Sequence, residues 1–479
     1  MIAGALVGTL GLAALLSLRD PRLRLAALVA VGAGGALLAL ALRPEGEDAL
    51  LAAAAAGALV LAAALAALFL RFPWLLPMFA LACAPARVPV RVGGEEANLL
   101  LPLYLVVAGG ALALAWELFR GDQRARELGP LTWPLAAFVS WSGVSLLWSG
   151  SVQQGAVSVA AFYLPFGLLA VTLARLPWKR RWLTALAVQL VAMAAVFAGI
   201  GVVQWLTRDV FWNPRVIVHN AYAPFYRVNS VFWDPSMYGR FLVVAILVAL
   251  VVALYGARRE AYYAAGALVA LWIGLVFSFS QSSFVALIAG VVGAVALAWE
   301  WRKVVAVASV AVVVAASGLL VPSVRAEIRE NTDRATGGRY GLVTEGSRIA
   351  AENPLRGVGL GGFRSAYGSR VGFTAADPAR AASHNTPVTV AAETGLPGFL
   401  LFGWLVVVAL WLPFRRASRS FAGRASLSFG LALLAILVHS LFYNAFFEDP
   451  MSWGLLGLTA LGYAWRTSSR DNRARSAGR

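Results

Sequence analysis

The chain has 479 residues, 60% of them hydrophobic and only 13% charged, with a formal net charge of +17. Soluble domains carry roughly 45–50% apolar and about 25% charged residues, so this composition argues against a soluble enzyme, a disordered chain and a nucleic-acid-binding domain. The apolar residues fall in blocks of about 17–25, the length that crosses a bilayer as a helix, and the fold class expected is an all-α polytopic membrane protein with about 12–15 transmembrane helices.

In chain order the apolar spans are 2–18, 25–42, 49–70, 74–86, 99–119, 132–148, 155–176, 182–206, 237–256, 261–277, 283–299, 303–321, 395–412, 427–447 and 451–466. The first has no basic stretch ahead of it and another span follows at once, so it does not read as a cleaved signal peptide. The fourth is short enough for a half-helix or a tilted span. Ala- and Gly-rich spans, such as 52–68, suit close helix packing and carry no chemistry. The chain divides into N-terminal transmembrane helices (1–206), an outer loop (207–236), central transmembrane helices (237–321), a large loop (322–394), C-terminal transmembrane helices (395–466) and a basic tail (467–479).

The linkers alternate in charge. One set runs from Arg19, Arg22 and Arg24 through Arg71, Arg120–Arg126, Arg175–Arg181, Arg258–Arg259, Arg302–Lys303 and Arg415–Arg424 to the tail. It holds 24 basic and 7 acidic residues, including both lysines, whereas the remainder of the chain holds 16 of each sign. The whole excess lies on one side, which the positive-inside rule assigns to the cytoplasm. That puts the C-terminus inside, and with an odd span count the N-terminus outside. The medium loop 207–236 and the long loop 322–394 then face outward, where long ordered insertions are expected to carry function.

The outward set contains 16 arginines and no lysine, nine of them in 322–394: Arg325, Arg329, Arg334, Arg339, Arg348, Arg356, Arg364, Arg370 and Arg380. Guanidinium grips phosphate through a planar fork where ammonium is a point charge. A phosphate-bearing ligand would favour such a set; a simple preference for arginine codons would also produce it. Of the three histidines, His384 stands just before a span and is a candidate general base. His219 is a weaker candidate, and His439, inside a span, reads as a packed or inter-helix hydrogen-bonding residue. Gly357, Gly359 and Gly362 match a dinucleotide fingerprint literally, but Pro354 precedes them and no βαβ context exists, so a tight turn is the better reading. Asp234-Pro235 reads as a helix start. His384 has no second histidine at metal-site spacing, Glu448 and Asp449 alone are weak grounds for a metal, and the single Cys83 permits neither an intrachain disulfide nor a cysteine metal site.

Together these motifs give a resemblance. RYGLVTEGSRIAAENPLRGVGLGGF (339–363) is similar to the signature of the O-antigen ligase and polymerase superfamily, in which an arginine precedes an Asn-Pro and a glycine-rich turn. His384-Asn385 with Glu393, Gly395 and Gly398 resembles its continuation, Arg227, Ser230 and Asp234-Pro235 its upstream motif, and SFSQSSFVALIAG (278–290) one of its helices. The match spans roughly residues 200–460. Two departures stand out: Gln281 replaces a common arginine, and no aromatic follows Arg339 at the usual place, near Thr344.

The resemblance implies a GT-C-like membrane glycosyltransferase of the bacterial inner membrane, with its site on the periplasmic side. It would move a glycan, without metal or cofactor and with inversion, from an undecaprenyl-pyrophosphate carrier to an acceptor hydroxyl. Lipid A core would be the acceptor for a ligase, and another carrier-linked glycan for a polymerase. His384 would be the catalytic base; Arg227, Arg339 and Arg348 would bind pyrophosphate; Asp234, Gln281, Asn385 and Glu393 would support them. The implied partners are the donor, the acceptor and membrane lipids, with no nucleic acid. A small-molecule, bicarbonate-like transporter is the competing class; the span centres lack Asp, Glu and Lys, which argues against ion coupling.

Overall fold

The computed structural model describes residues 1–43, 48–92, 95–211, 213–222, 226–298, 339–371, 383–444 and 446–461. Among them, ten helices are long and apolar enough to cross a membrane, and Ile2–Ser17 and Gln281–Ala296 are shorter apolar helices. The chain is an all-α polytopic membrane protein. The span read at 303–321, and Arg325, Arg329, Arg334 and Arg380 of the long loop, lie outside the described residues.

The helices are α1 (Ile2–Ser17), α2 (Pro21–Leu42), α3 (Asp48–Arg71), α4 (Leu75–Cys83), α5 (Leu101–Phe119), α6 (Thr132–Val144), α7 (Val152–Ser158), α8 (Leu164–Arg175), α9 (Arg180–Thr207), α10 (Pro214–Tyr222), α11 (Pro235–Tyr255), α12 (Arg258–Ser278) and α13 (Gln281–Ala298). After the long loop's first part come α14 (Arg339–Glu352), α15 (Phe363–Val371), α16 (Thr386–Phe414), α17 (Phe421–His439) and α18 (Pro450–Thr459). A π-turn at Val159–Tyr163 joins α7 to α8. The short fourth span is a nine-residue helix. It leads into an antiparallel hairpin that the span pattern did not announce: β1 (Val88–Val92) pairs with β2 (Glu95–Leu99), Val88 opposite Leu99. A lone two-stranded ribbon is too short to stand out as periodicity beside twenty-residue apolar blocks.

Three helices start at Asp-Pro. The carboxylates of Asp20, Asp234 and Asp449 each accept a backbone N–H of the first turn. Proline at the first helical position gives up an amide that has no intrahelical partner anyway. Asn385 caps α16 in the same way through Val388 N. That helix is kinked at Gly395, where φ is 67°, so its first turns stand apart from the long apolar segment that follows.

The linkers sort to two ends. At the basic end, Arg24 ion-pairs with Glu127 at 2.8 Å and donates to the Leu15 carbonyl, and Arg126 donates to that of Ser17. Arg175 meets Glu117 at 2.8 Å and Asp122 at 3.0 Å. Arg24, Arg175 and Glu127 are nearly buried there, each charge answered by an opposite one, as burial requires. The C-terminal end of α1 is at this end, so Met1 lies at the other. An aromatic cluster closes the centre: Phe447 stacks on Phe138 at 4.7 Å and on Tyr163 at 5.5 Å, with Phe402 and Trp453 edge-on. It fixes the turn between α17 and α18 against α6, the π-turn and α16.

Candidate active site

The end opposite the basic one is assembled from segments far apart in sequence. The stretch 227–234 runs beside the end of α12: Val228 N donates to the Phe277 carbonyl at 3.2 Å, and Arg227 Nε to that of Ser278 at 3.3 Å. Arg227 is further fixed through its main chain, which exchanges two hydrogen bonds with the Asn220 amide on α10. Ser230, at φ 51°, is held the same way by Gln204 of α9, which accepts from its N–H at 2.7 Å and donates to its carbonyl at 3.0 Å. His219 lies close by; partial burial, then the charge of Arg227, lower its pKa. Asp234 is spent on its helix cap.

From Ser278 a polar chain leads inward. Ser280 Oγ lies 3.2 Å from Ser282 Oγ and 2.7 Å from Ser283 Oγ, and Ser282 Oγ lies 3.0 Å from His439 Nε2. His439 therefore ties α17 to α13, the structural role its place in a span suggested. Gln281, in the middle of these buried serines, is itself exposed. The His439 ring lies 5.7 Å from that of Tyr443, and the Tyr443 ring 6.3 Å from that of His384. The Arg240 guanidinium sits 6.0 Å over the same tyrosine and pairs with Asp449 at 2.9 Å. Arg87, just before the hairpin, donates to the Glu448 carbonyl at 3.4 Å. Burial raises the Tyr443 hydroxyl well above its ordinary range; it also raises the Glu448 carboxyl, with Arg87 and Arg240 pulling the other way.

His384 occupies a sharp corner at φ 54°. Its neighbours hold it there. Thr386 N donates to the Ser440 carbonyl at 2.9 Å, Asn385 Nδ2 to that of Leu441 at 3.0 Å, and Ser383 Oγ contacts Thr389 Oγ1 at 2.6 Å. A half-buried imidazole on such a pinned corner can accept a proton from a group arriving at this end.

The glycine-rich turn is a lock. Val358 N and Gly359 N donate to the carbonyls of Ala392 and Glu393 at 2.9 and 2.8 Å, and the Glu393 carboxylate accepts from Phe363 N at 3.3 Å. Gly359 and Gly361 adopt φ of 85° and 78°; a Cβ on either would come within 2.3 Å of the backbone of Ser149 or Gly155. These positions need glycine for both conformation and space. Glu393 thus holds the turn against α16. Among the described residues no dinucleotide fold surrounds it.

The arginines separate. Arg348 is exposed and ion-paired with Glu345 one turn earlier. Arg370 shares Glu345 at 3.4 Å and pairs with Glu352. Arg339 opens α14, and its side chain lies outside the described residues. The structure brings Arg227, Asp234, Gln281, His384, Asn385 and Glu393 to one end, while Arg348 is engaged on the exposed face of α14. Sequence reasoning missed Tyr443 and Arg240. An arginine at the fourth position of the apolar span 237–256 was the available signal for the latter, but it was counted only among the sixteen outward arginines.

Residues 266–403 match the O-antigen ligase family model. No curated protein matches the chain. The matched stretch includes the serine-rich start of α13, the glycine turn and the His384 corner; Arg227 and the α17–α18 turn lie outside it. It supports the resemblance to the O-antigen ligase and polymerase superfamily, and with it O-antigen ligase-like glycan transfer by a multi-pass membrane protein.

Proposed function

We propose that the chain is an inverting glycosyltransferase working on the extracytoplasmic face of the bacterial inner membrane. It takes a glycan from an undecaprenyl-pyrophosphate-linked donor and passes it to an acceptor hydroxyl, with lipid A core as the acceptor and no metal or other cofactor. His384 accepts the proton of the acceptor hydroxyl. The oxygen forms a bond to the anomeric carbon from the side opposite the carrier. The bond from that carbon to the pyrophosphate oxygen breaks, and the electron pair leaves with undecaprenyl pyrophosphate. Arg227, with Arg339 and Arg348, binds the pyrophosphate and stabilises its developing charge. For Arg348 this requires release from Glu345. Asp234 and Asn385 set helix starts, Gln281 stands at the mouth of the serine cluster, and Glu393 holds the glycine turn beside the His384 helix.

The observation that supports this reading is the convergence of the Arg227 segment, the α13 start, the glycine turn and the His384 corner at one end of the bundle, with the family match covering three of the four. The family description favours a ligase over a polymerase. Purified protein in nanodiscs, given lipid-linked glycan and lipid A core, should release undecaprenyl pyrophosphate and extend the core even in the presence of a chelator. His384→Ala should lower transfer by about 10²–10⁴-fold with the fold intact. Near-normal transfer by that variant would remove the base assignment. Longer carrier-linked glycans formed with no added acceptor would instead identify a polymerase.

A further inference from the structure

A cavity of about 630 Å³ lies along the flank of the bundle between α4, α8, α9, α11, α12, α17 and α18. Val188 and Tyr263 line it and are 62% and 67% exposed, so it is open sideways, where acyl chains lie in a membrane. Its wall along α9 runs from Arg180 to Ala195, about 22 Å of helix at 1.5 Å per residue. The lining is apolar except at one end. Among the described residues its charged members are Arg180, Glu260 and Arg424, all in the first turns of their helices at the basic end.

Arg180 and Arg424 form a cationic head to an apolar groove, with the Glu260 carboxylate beside them. The Arg180 guanidinium lies 4.9 Å over the Phe421 ring, on the helix that carries Arg424. Arg424 donates through one terminal nitrogen to the Tyr255 carbonyl, yet its Nε is enclosed and makes no hydrogen bond to any described residue. A buried donor without an acceptor calls for a ligand or a water. Glu260 is partly occupied, since it accepts the Ala257 N–H at 3.0 Å.

We propose that this groove holds one anionic phospholipid from the leaflet at the basic end, with its phosphate on Arg180 and Arg424 and an acyl chain along α9. The polarity of the groove sets this orientation. A polyprenyl pyrophosphate donor carries its charge toward the opposite end, where the groove offers no charged side chain among the described residues. A zwitterionic lipid would bring a choline to the same arginines and gain less.

The test is native mass spectrometry of the full-length protein, released from nanodiscs of equal phosphatidylglycerol and phosphatidylcholine. Wild type should retain phosphatidylglycerol preferentially. Each surface arginine near an anionic lipid is worth a factor of about five, so Arg180→Gln and Arg424→Gln should each reduce the preference about fivefold, and together about thirtyfold. Ala187→Trp fills the groove wall and should reduce retention of both lipids, a readout that leaves Arg424 and its bond to Tyr255 in place. Arg19→Gln with Arg22→Gln, at the same end but at the start of α2, where no described residue lines the groove, should change nothing. Equal retention of the two lipids by wild type, an unchanged preference in Arg180→Gln, or displacement of phosphatidylglycerol by undecaprenyl phosphate would each overturn the proposal.

Discussion

The Arg240–Asp449 pair offers a sharp energetic test. Both side chains are 6% exposed, with Arg240 Nε 2.9 Å from Asp449 Oδ2. Removing one partner of a buried pair strands the other charge, at a cost of about 3–5 kcal/mol, whereas removing both leaves no lone charge. Asp449 also caps α18 through Met451 N at 3.0 Å, and asparagine caps about as well as aspartate. Asp449→Asn therefore isolates the loss of charge, and Arg240→Met should cost a similar amount from the other side. The two single costs would sum to about 6–10 kcal/mol, but the double variant should lie within about 2 kcal/mol of wild type. The assay is a double-mutant cycle of unfolding free energy in one lipid or detergent system. Additivity to within about 0.5 kcal/mol would refute the reasoning, because it would mean that neither charge depends on the other. A functional consequence travels with it: Arg240 covers Tyr443, which faces His384, so Arg240→Met should impair transfer even at temperatures where it remains folded.

Four further outcomes are expected. Gly359→Ala meets both a positive φ and a clash with Ser149, so it should detach the glycine turn, cost on the order of 1–3 kcal/mol or more, and raise proteolysis between α14 and α15; unchanged protection would show that the turn is not packed this way. The Glu448 carboxyl is raised, first by burial, so it favours the fold while protonated, and that contribution is lost as pH climbs above the ordinary carboxylate value of 4.5. Glu448→Gln should thus match wild type at acid pH and exceed it in stability at neutral pH; a gap that widens on acidification would reverse the assignment. Arg227→Lys should bind donor nearly as poorly as Arg227→Ala if its fork grips pyrophosphate, while full activity in the lysine variant would reduce its role to charge alone. A cysteine at exposed Ser369, on a Cys83→Ala background, should react with an impermeant reagent added from outside the cytoplasm; protection there, with labelling after unfolding, would invert the orientation.

Much of the candidate site was legible because its residues carry their own signals. His384 precedes a span, Asp234-Pro235 announces a helix start, and the glycines of 357–362 announce a turn, which the positive φ values at Gly357, Gly359 and Gly361 bear out. The roles of Asn385, as a helix cap, and of Glu393, as a clamp on that turn, depend on which amides lie within reach. Those amides belong to Val388, nearby, and to Phe363, thirty residues away. Tyr443 went unnoticed because it looks ordinary in its own segment, and Arg240 because its place in an apolar span was passed over; they matter through the meeting of α11, α16 and the α17–α18 turn.

The sequence by itself determined the class, the approximate spans and the division of charge, because transfer of apolar side chains into lipid and the positive-inside bias act residue by residue. It also determined where α11 begins, since the Asp234-Pro235 cap acts within one turn. Tertiary structure decided which linker ends adjoin, which arginines are already paired, as Arg175 is with Glu117, and which charges are buried together, as Arg240 and Asp449 are. Those facts rest on contacts between groups tens to hundreds of residues apart. The distances that govern ion pairs and hydrogen bonds exist only once the helices have packed.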